Sequence, residues 1–492
     1  MSGPTAWRAH PVACQPTPSE RNRIFAPRAR SLALIALLLT GCATYTPAPL
    51  DPAQSARAFA TRRLDAPELR VEIERMVGQR AATWPPAAWD RAQLLAAAIA
   101  QNPEIAVTRA SIEAALAHET GAAERPNPGI GLQSEYASRE AHRWLYGVGF
   151  DLQLRQPGMR ALDIALAQQE TRAVRDALME RTWTVRHALT DALSDAENAR
   201  RRLDLLMRLS NAQDGVIDLQ QQRVAAGEDQ PGDLVRARTA RIETEQQQAQ
   251  ARSDAIAAHA AIASALGVPP AALDGVAIEW SDWGAPPALD EAALASAREA
   301  ALLSRADLAA AIGEYAQSET KLKQAIARQY PSFDLKPGYY WDHGVAKWPF
   351  DVDFSLPIFN RNEGEIAEAK ANREVAGKKL LAVQAAIYGE IETALRAERV
   401  ARENLQAAER RAEAAHTQRE HAELALKLGA SDRMERTGAD ALAMRAELEV
   451  LQARAGLQTA RDALENALHA PLSGPELALA LPSPPADAGD NR

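Results

Sequence analysis

Two very long stretches without proline most constrain how this chain can fold. One runs from Arg160 to Ala226 with a single glycine, Gly215, and the other runs from Glu365 to Leu428 with only Gly377 and Gly389. Both are rich in Ala, Glu, Arg and Gln, which favour helices. At 1.5 Å per residue, each stretch predicts a helix roughly 100 Å long. Such helices must pack side by side, as in a bundle or a coiled coil.

The two stretches belong to halves of the chain that resemble each other, residues 89–270 and 289–471. Each half has an Ala-rich helix, two aromatic strands, the very long helix and a final helix. Three pairs of residues recur at the same place in each half, about 200 residues apart: Pro157 with Pro357, Gly227 with Gly429, and Leu266 with Leu468. This spacing indicates an internal duplication. A Pro-rich segment (42–88) with a short helix near 65–80 precedes the halves, a linker (271–288) joins them, and a tail (472–492) follows.

Composition agrees with long amphipathic helices rather than with compact cores. Of 492 residues, 47% are hydrophobic but only 5% are aromatic, and 25% are charged with mixed sign. The net charge of −9 leaves no basic patch, which argues against a nucleic-acid partner.

The N-terminus has the pattern of an export signal. A short apolar run, Ser31–Leu39, follows Arg28 and Arg30, and it is too short to serve as a membrane anchor. Leu39-Thr40-Gly41-Cys42 resembles the bacterial lipobox, which implies a signal peptide over 1–41 and a diacylated Cys42. Ala43 rather than Asp follows the cysteine, which favours sorting to the outer membrane. The alternative is an ordinary signal peptide with an incidental cysteine.

Four segments alternate between apolar and polar residues with the period of a β-strand. They lie in two predicted hairpins, 129–155 and 332–357, and cover 130–136, 143–154, 333–341 and 348–356. Of the 24 aromatic residues, 13 fall within 129–155 and 330–359. This concentration is typical of the aromatic girdle of a membrane β-barrel, and the strand lengths fit one. The alternative is a half-buried sheet of a soluble domain.

The polar faces of these strands carry acidic residues that would face a lumen: Glu135, Asp151, Asp334, Asp351 and Asp353, against Arg143 and Lys336. Such a face would favour cations modestly. Four strands cannot close a barrel, and an open strand edge in lipid would leave backbone groups without hydrogen bonds. The chain must therefore oligomerise, and three copies would supply twelve strands.

Over nearly all of its length after Cys42, the sequence resembles the TolC family of outer-membrane efflux channels. The resemblance rests on Asn102-Pro103-Glu104, on Arg125-Pro126-Asn127-Pro128 and on the residues from Ser355 to Asn362. Its most specific part, Gly338–Lys370, looks like the members that accompany cobalt–zinc–cadmium resistance pumps. The resemblance implies a homotrimer with a twelve-stranded barrel in the outer membrane and a coiled-coil α-helical tunnel through the periplasm. It also implies a periplasmic adaptor and an inner-membrane transporter of the RND type as partners.

The resemblance implies that the turns at Gly227 and Gly429 form the periplasmic tip, where the adaptor docks. Acids just beyond them commonly ring a closed aperture. The candidate gate acids here are Asp229, Asp233, Asp432 and Glu435. Three copies of an acid at a constriction would attract cations and repel one another. Equally, each acid could simply complement a helix dipole.

No catalytic motif, cofactor motif or metal-binding motif is present in the sequence, so we expect no enzyme. The sequence predicts an exit duct that conducts its substrates passively. Heavy-metal cations are the favoured substrate. A drug-efflux or type I secretion channel is the alternative within the class. A lipid-anchored periplasmic coiled-coil scaffold is the alternative outside it.

Overall fold

The computed structural model describes residues 45–479, except residues 79 and 81. The signal peptide, Cys42 and residues 480–492 lie outside the described residues. The helices are α1 (Pro52–Ala60), α2 (Pro67–Val77), α3 (Arg91–Gln101), α4 (Pro103–Ala123), α5 (Met159–Ala225), α6 (Pro231–Leu266), α7 (Glu291–Ser304), α8 (Ala306–Ala327), α9 (Glu363–Lys427) and α10 (Arg433–Leu468). The strands are β1 (Gly129–Tyr136), β2 (Trp144–Leu154), β3 (Phe333–Asp342), β4 (Val345–Lys347) and β5 (Phe350–Phe354).

The chain divides after Arg57 into two units, and the larger unit contains everything described below. Its two long helices, α5 and α9, begin and end within two residues of the predicted bounds. Helix α5 packs along both α6 and α10, and α9 packs along α10. The four helices thus lie side by side in the order α6, α5, α10, α9. Helix α4 packs on α5, and α8 packs on both α5 and α9.

The first helix of each half is broken in two, which the sequence interpretation did not anticipate. In the first half the break lies at Asn102, where Pro103 removes a backbone donor and restricts the preceding residue to extended backbone. In the second half it lies at Arg305, whose backbone is extended (ψ 145°).

The two break residues hold equivalent positions and make equivalent bonds. The Asn102 Nδ2 donates to the carbonyl of Ala265 at 2.9 Å, and the Arg305 Nη1 donates to the carbonyl of Ala467 at 2.7 Å. Both side chains are buried. Each one satisfies a carbonyl in the last turn of its half's final helix, which has no partner within the helix.

The final helices end in a left-handed residue, and here the halves differ. Gly267 ends α6, with φ +72°, and a Cβ there would lie 2.7 Å from the Gln101 carbonyl oxygen. His469 ends α10, with φ +49°, and its ring stacks on Trp183 with centroids 5.3 Å apart. Burial, with the Arg305 guanidinium nearby, lowers the pKa of His469 to about 4, so the ring is neutral at pH 7.

A hydrophobic core joins the N-terminal segment to the first half. Leu64, Leu69 and Ile73 pack with Trp89 and Leu94 in one buried cluster. The segment from residue 58 onward is therefore part of the same packed unit. Burying such apolar side chains contributes about 1.5–3 kcal/mol each.

A buried ionic cluster joins α5, α10 and the C-terminal segment. The Arg186 Nε donates to Glu476 at 2.8 Å, and its Nη2 lies 2.5 Å from Glu465. All three side chains are at most 3% exposed. Removing one partner would leave a buried charge without compensation, which costs about 3–5 kcal/mol.

Asp462 lies beside this cluster and forms no ion pair with a described residue. One of its oxygens accepts a hydrogen bond from Gln458 Nε2 at 2.9 Å, and the other has no hydrogen-bond partner among the described residues. Burial, and the nearby Glu465 carboxylate, raise the pKa of Asp462 to about 7. Its charge is therefore disfavoured in the folded protein.

The strands form one antiparallel sheet in the order β1, β2, β3, with β4 and β5 both paired to β3. Strands β4 and β5 continue a single register, since Tyr340 pairs with Lys347 and Pro337 pairs with Phe350. Between them lies Pro349, which has no N–H to donate, although its carbonyl accepts from Gly338 N at 2.9 Å. The predicted fourth strand, 348–356, thus begins earlier, is interrupted, and ends at Phe354.

Candidate functional site

Two turns join the long helices to their partners, and both have the same backbone geometry. After α5, Gly227 N donates to Val224 O at 3.0 Å, and Glu228 N donates to Arg223 O at 2.9 Å. After α9, Gly429 N donates to Leu426 O, and the next amide reaches back to Ala425 O. Both turns are Schellman motifs, which require a left-handed residue.

The two glycines are required by backbone conformation rather than by space. Their φ angles are +76° at Gly227 and +73° at Gly429, and a Cβ added at either would contact nothing within 4 Å. The sequence prediction placed turns at both, and both lie at turns. Adaptor docking there stays a prediction.

Arg223, in the last turn of α5, brings two of the four candidate gate acids together. Its Nε donates to Asp229 at 3.0 Å, and its Nη1 donates to Asp432 at 2.8 Å. Asp229 lies in the first turn and Asp432 in the second, so one guanidinium bridges the ends of both helix pairs. We call these three residues the tip cluster.

Asp432 has a second role, because it caps α10. Its Oδ1 accepts from the Glu435 amide at 2.9 Å. That bond, together with the Arg223 guanidinium, holds the pKa of Asp432 below its usual range. The Asp229 and Asp432 carboxylates likewise raise the pKa of Arg223. Asp432 and Arg223 are therefore both charged near neutral pH.

The other two candidate acids lie outside the tip cluster. Asp233, in the first turn of α6, pairs with Arg236 of the same helix. Glu435 accepts a hydrogen bond from Ser431 Oγ at 2.6 Å. Both bonds are local to one helix end. Four candidates thus divide into one bridged pair and two separate acids.

Sequence reasoning missed Arg223. The available signal was a cation four residues before Gly227, where the second half has Ala425 before Gly429. Its bond partner Asp432 is 209 residues away along the chain. No local pattern could therefore have identified the pair.

The register of the sheet places the five candidate lumen acids on one face. Paired residues of neighbouring strands point to the same side. Asp151 pairs with Gly129 and Glu135 pairs with Leu145, while Asp334 pairs with Asp353 and Asp351 pairs with Lys336. The β2–β3 register, in which Gln153 pairs with Asp334, continues this face across the sheet. Lys336 also donates a hydrogen bond to Asp353.

The opposite face of the sheet is apolar and exposed. It includes Leu132, Trp144, Tyr146, Phe150 and Val352, and Leu132 is 84% exposed. Aromatic rings contact each other across this face, as with Tyr339 and Trp348 at a centroid distance of 4.7 Å. An exposed apolar face of this extent marks a surface that contacts lipid or another protein.

Within residues 45–479, no helix has a stretch long and apolar enough to cross a membrane. In the same described part of the chain, no group of three or more His, Cys, Asp or Glu side chains is arranged to hold a metal ion.

Comparison with solved structures shows a shared fold. A membrane protein from Pseudomonas aeruginosa matches with a TM-score of 0.64 and 21% identity, covering 77% of this chain and 90% of its own. VceC from Vibrio cholerae, an outer membrane protein, matches with a TM-score of 0.63 and 15% identity over 78% of this chain and 97% of its own. CusC, described as forming a transmembrane channel, matches with a TM-score of 0.61 and 16% identity over 77% of this chain and 91% of its own.

No curated protein sequence matches the chain. The model of the outer membrane efflux protein family, however, matches residues 94–268 and 297–469. These ranges fall within the two predicted halves and cover more than half of the chain. The chain therefore belongs to the outer membrane efflux protein family.

Proposed function

We propose that this protein is the outer-membrane exit duct of a tripartite efflux system and works as a homotrimer. The observation that carries the proposal is the sheet, with an exposed apolar face on one side and acids on the other. In a barrel the apolar face would contact lipid and the acidic face would line the lumen.

The edges of the sheet support assembly with further copies of the chain. Strand β1 pairs only with β2, and β5 pairs only with β3, among the described residues. Each outer edge then presents unpaired backbone groups, which are not tolerated in lipid. Pairing β1 of one protomer with the β4–β5 strand of the next would close twelve strands and leave no edge.

The tip cluster would hold the periplasmic end of each protomer closed. Arg223 ties the end of the α5–α6 pair to the start of α10. Opening the tip by separating the helix pairs would break the bond to Asp432. We assign adaptor docking to the neighbouring turns at Gly227 and Gly429.

Heavy-metal cations are the proposed substrate, with drugs or a type I secreted protein as the alternative. The cation proposal is supported by the resemblance of Gly338–Lys370 and by the acidic face of the sheet. The protein would conduct passively and perform no catalysis, since an RND-type inner-membrane transporter would supply the energy through a periplasmic adaptor. Acylation of Cys42 would add a lipid anchor in the outer membrane.

Growth inhibition tests the function directly. A deletion strain and its complemented partner are compared on zinc, cobalt, cadmium, nickel, copper and silver salts, and on dyes, detergents and antibiotics. We expect hypersensitivity to one group of metals, restored by the intact chain. Sensitivity confined to organic compounds would contradict the metal assignment and leave a drug channel.

A matched variant separates a channel from a scaffold. Deleting both hairpins, 129–155 and 332–357, removes the sheet and keeps the long helices. A scaffold would still assemble and complement, whereas an exit duct would lose complementation.

A further inference from the structure

One loop exposes more apolar surface than a connecting loop should. Residues 355–362, here called the strand–helix loop, join β5 to α9. Within it Leu356 and Ile358 are each 64% exposed, and Phe359 is fully exposed. Three large apolar side chains within four residues form a patch rather than scattered surface hydrophobics.

The loop is held in this conformation. Asn362, the residue before α9, has a left-handed backbone with φ +62°. Its Nδ2 donates to the carbonyl of Ala325, near the end of α8, at 2.9 Å, and to Glu365 at 3.0 Å. Its amide donates to Asn360 Oδ1 at 2.8 Å. The base of the loop is thus bonded to two helices, and Phe359 projects from an anchored loop.

The equivalent connection in the first half lacks this projection. Only four residues, 155–158, separate β2 from α5, whereas eight separate β5 from α9. Aligning Pro157 with Pro357 places Met159 opposite Phe359, and Met159 is buried. The exposed apolar patch is therefore a feature of the second half alone.

An exposed arginine lies next to the apolar side chains of the strand–helix loop. Arg361, two residues after Phe359, is exposed, and its guanidinium makes no hydrogen bond or ion pair with any described residue. An unpaired guanidinium binds phosphate oxygens well, often with two parallel hydrogen bonds. Apolar side chains followed by arginine are the arrangement found where proteins enter a membrane interface.

We propose that the strand–helix loop inserts into the periplasmic leaflet of the outer membrane, with Ile358 and Phe359 among acyl chains and Arg361 on a phospholipid phosphate. The inference rests on the proposed barrel. The apolar face of the sheet ends where Leu154, Phe333 and Phe354 pair across the strands, and the loop begins at the next residue. The loop is then continuous with the lipid-facing surface, at the end of the sheet nearer the helices.

A single-cysteine probe tests this. The sequence has two cysteines, Cys14 and Cys42. Replacing both with serine leaves the introduced thiol as the only one that can be labelled. Full-length F359C carries an environment-sensitive fluorophore in vesicles whose phospholipids are brominated near the headgroup. The sheet variant V352C and the tip variant A430C are matched controls. We expect lipid quenching of F359C several-fold stronger than that of A430C, and a reduction of it when R361Q is added in vesicles rich in anionic phospholipid.

The outcomes distinguish the loop from the barrel. Quenching of V352C without quenching of F359C would overturn the loop assignment and leave the barrel intact. A probe at 359 shielded from both brominated lipid and aqueous iodide would also overturn it, because another protein surface would then cover the loop. Absence of quenching at both 352 and 359 would contradict the barrel itself.

Discussion

Arg223 is the residue at which the two halves of the chain are tied at the tip. We expect R223A to release Asp432 and raise the open fraction of the channel several-fold, because no other described cation replaces the bridge. Planar-bilayer conductance of the full-length protein measures the change, and entry of a large antibiotic into cells provides a second readout.

R236A is the control for this variant. Arg236 also pairs with a candidate gate acid, Asp233, but within one helix. Exposed pairs of this kind contribute little to stability. Equal conductance of R223A and wild type, or an equal effect of R236A, would show that the bridge does not hold the tip.

The bridge should not respond to pH in the neutral range. The pKa of Asp432 is lower in the folded protein than its usual value. Its stabilising bond is therefore present above about pH 4 and is lost only as pH falls through the lower folded pKa. Conductance that is set by this bridge should be constant between about pH 5 and pH 8, and a transition there would implicate another group.

Asp462 has a raised pKa, unlike Asp432, and should make the stability of the protein depend on pH in the neutral range. Its folded pKa of about 7 lies above the ordinary 3.8. The folded state binds the proton more tightly, so the free energy of unfolding falls as pH rises from about 4 to about 7 and then levels off. D462N should remove this loss, which amounts to up to about 4 kcal/mol.

Thermal unfolding in detergent at pH 5 and pH 8 measures this effect. We expect a higher Tm for D462N than for wild type at pH 8, and a smaller difference between the two at pH 5. A lower Tm for D462N than for wild type at pH 8 would contradict this prediction, because the charged carboxylate would then stabilise the fold.

At the scale of elements, the helix turns depend on backbone conformation. G227A should destabilise the turn by about 1 kcal/mol, because alanine disfavours a positive φ. G232A lies five residues away at the second position of α6, where alanine suits the helix, and should be neutral or slightly stabilising. Unfolding temperatures of the two variants give the comparison, and equal losses would contradict the argument.

The long helices and the two faces of the sheet could be predicted from the sequence. The long helices were predictable because they are Ala-rich and free of proline over more than sixty residues. Strand faces were predictable because a two-residue period needs no knowledge of tertiary contacts. The register then placed all five predicted lumen acids on one face.

What the sequence did not reveal depends on distant contacts. Arg305, the residue at the break in the second half, donates to the carbonyl of Ala467, 162 residues away. Arg223 and Asp432 are separated by even more of the chain, and Asp462 owes its raised pKa to burial among several elements. The interruption at Pro349 had a local signal, since proline cannot donate to a strand ladder. It was overlooked because the alternation of side chains continues through it.

At the scale of the whole molecule, the sheet is incomplete in one copy. Its apolar face is uncovered and both of its edges are unpaired among the described residues. The layer of long helices is also open at its sides, since α6 and α9 are its two outer members. Assembly would complete both layers at once.

Disulfide cross-linking between edge strands tests this central claim most directly. A small grid of double variants places one cysteine in β1, at Leu132 or Gln133, and one in β5, at Val352 or Asp353. The account predicts that at least one pair oxidises in outer-membrane fractions to a covalent trimer with no larger species. Monomers alone for every pair, a dimer, or an open ladder of higher oligomers would contradict a closed three-copy barrel.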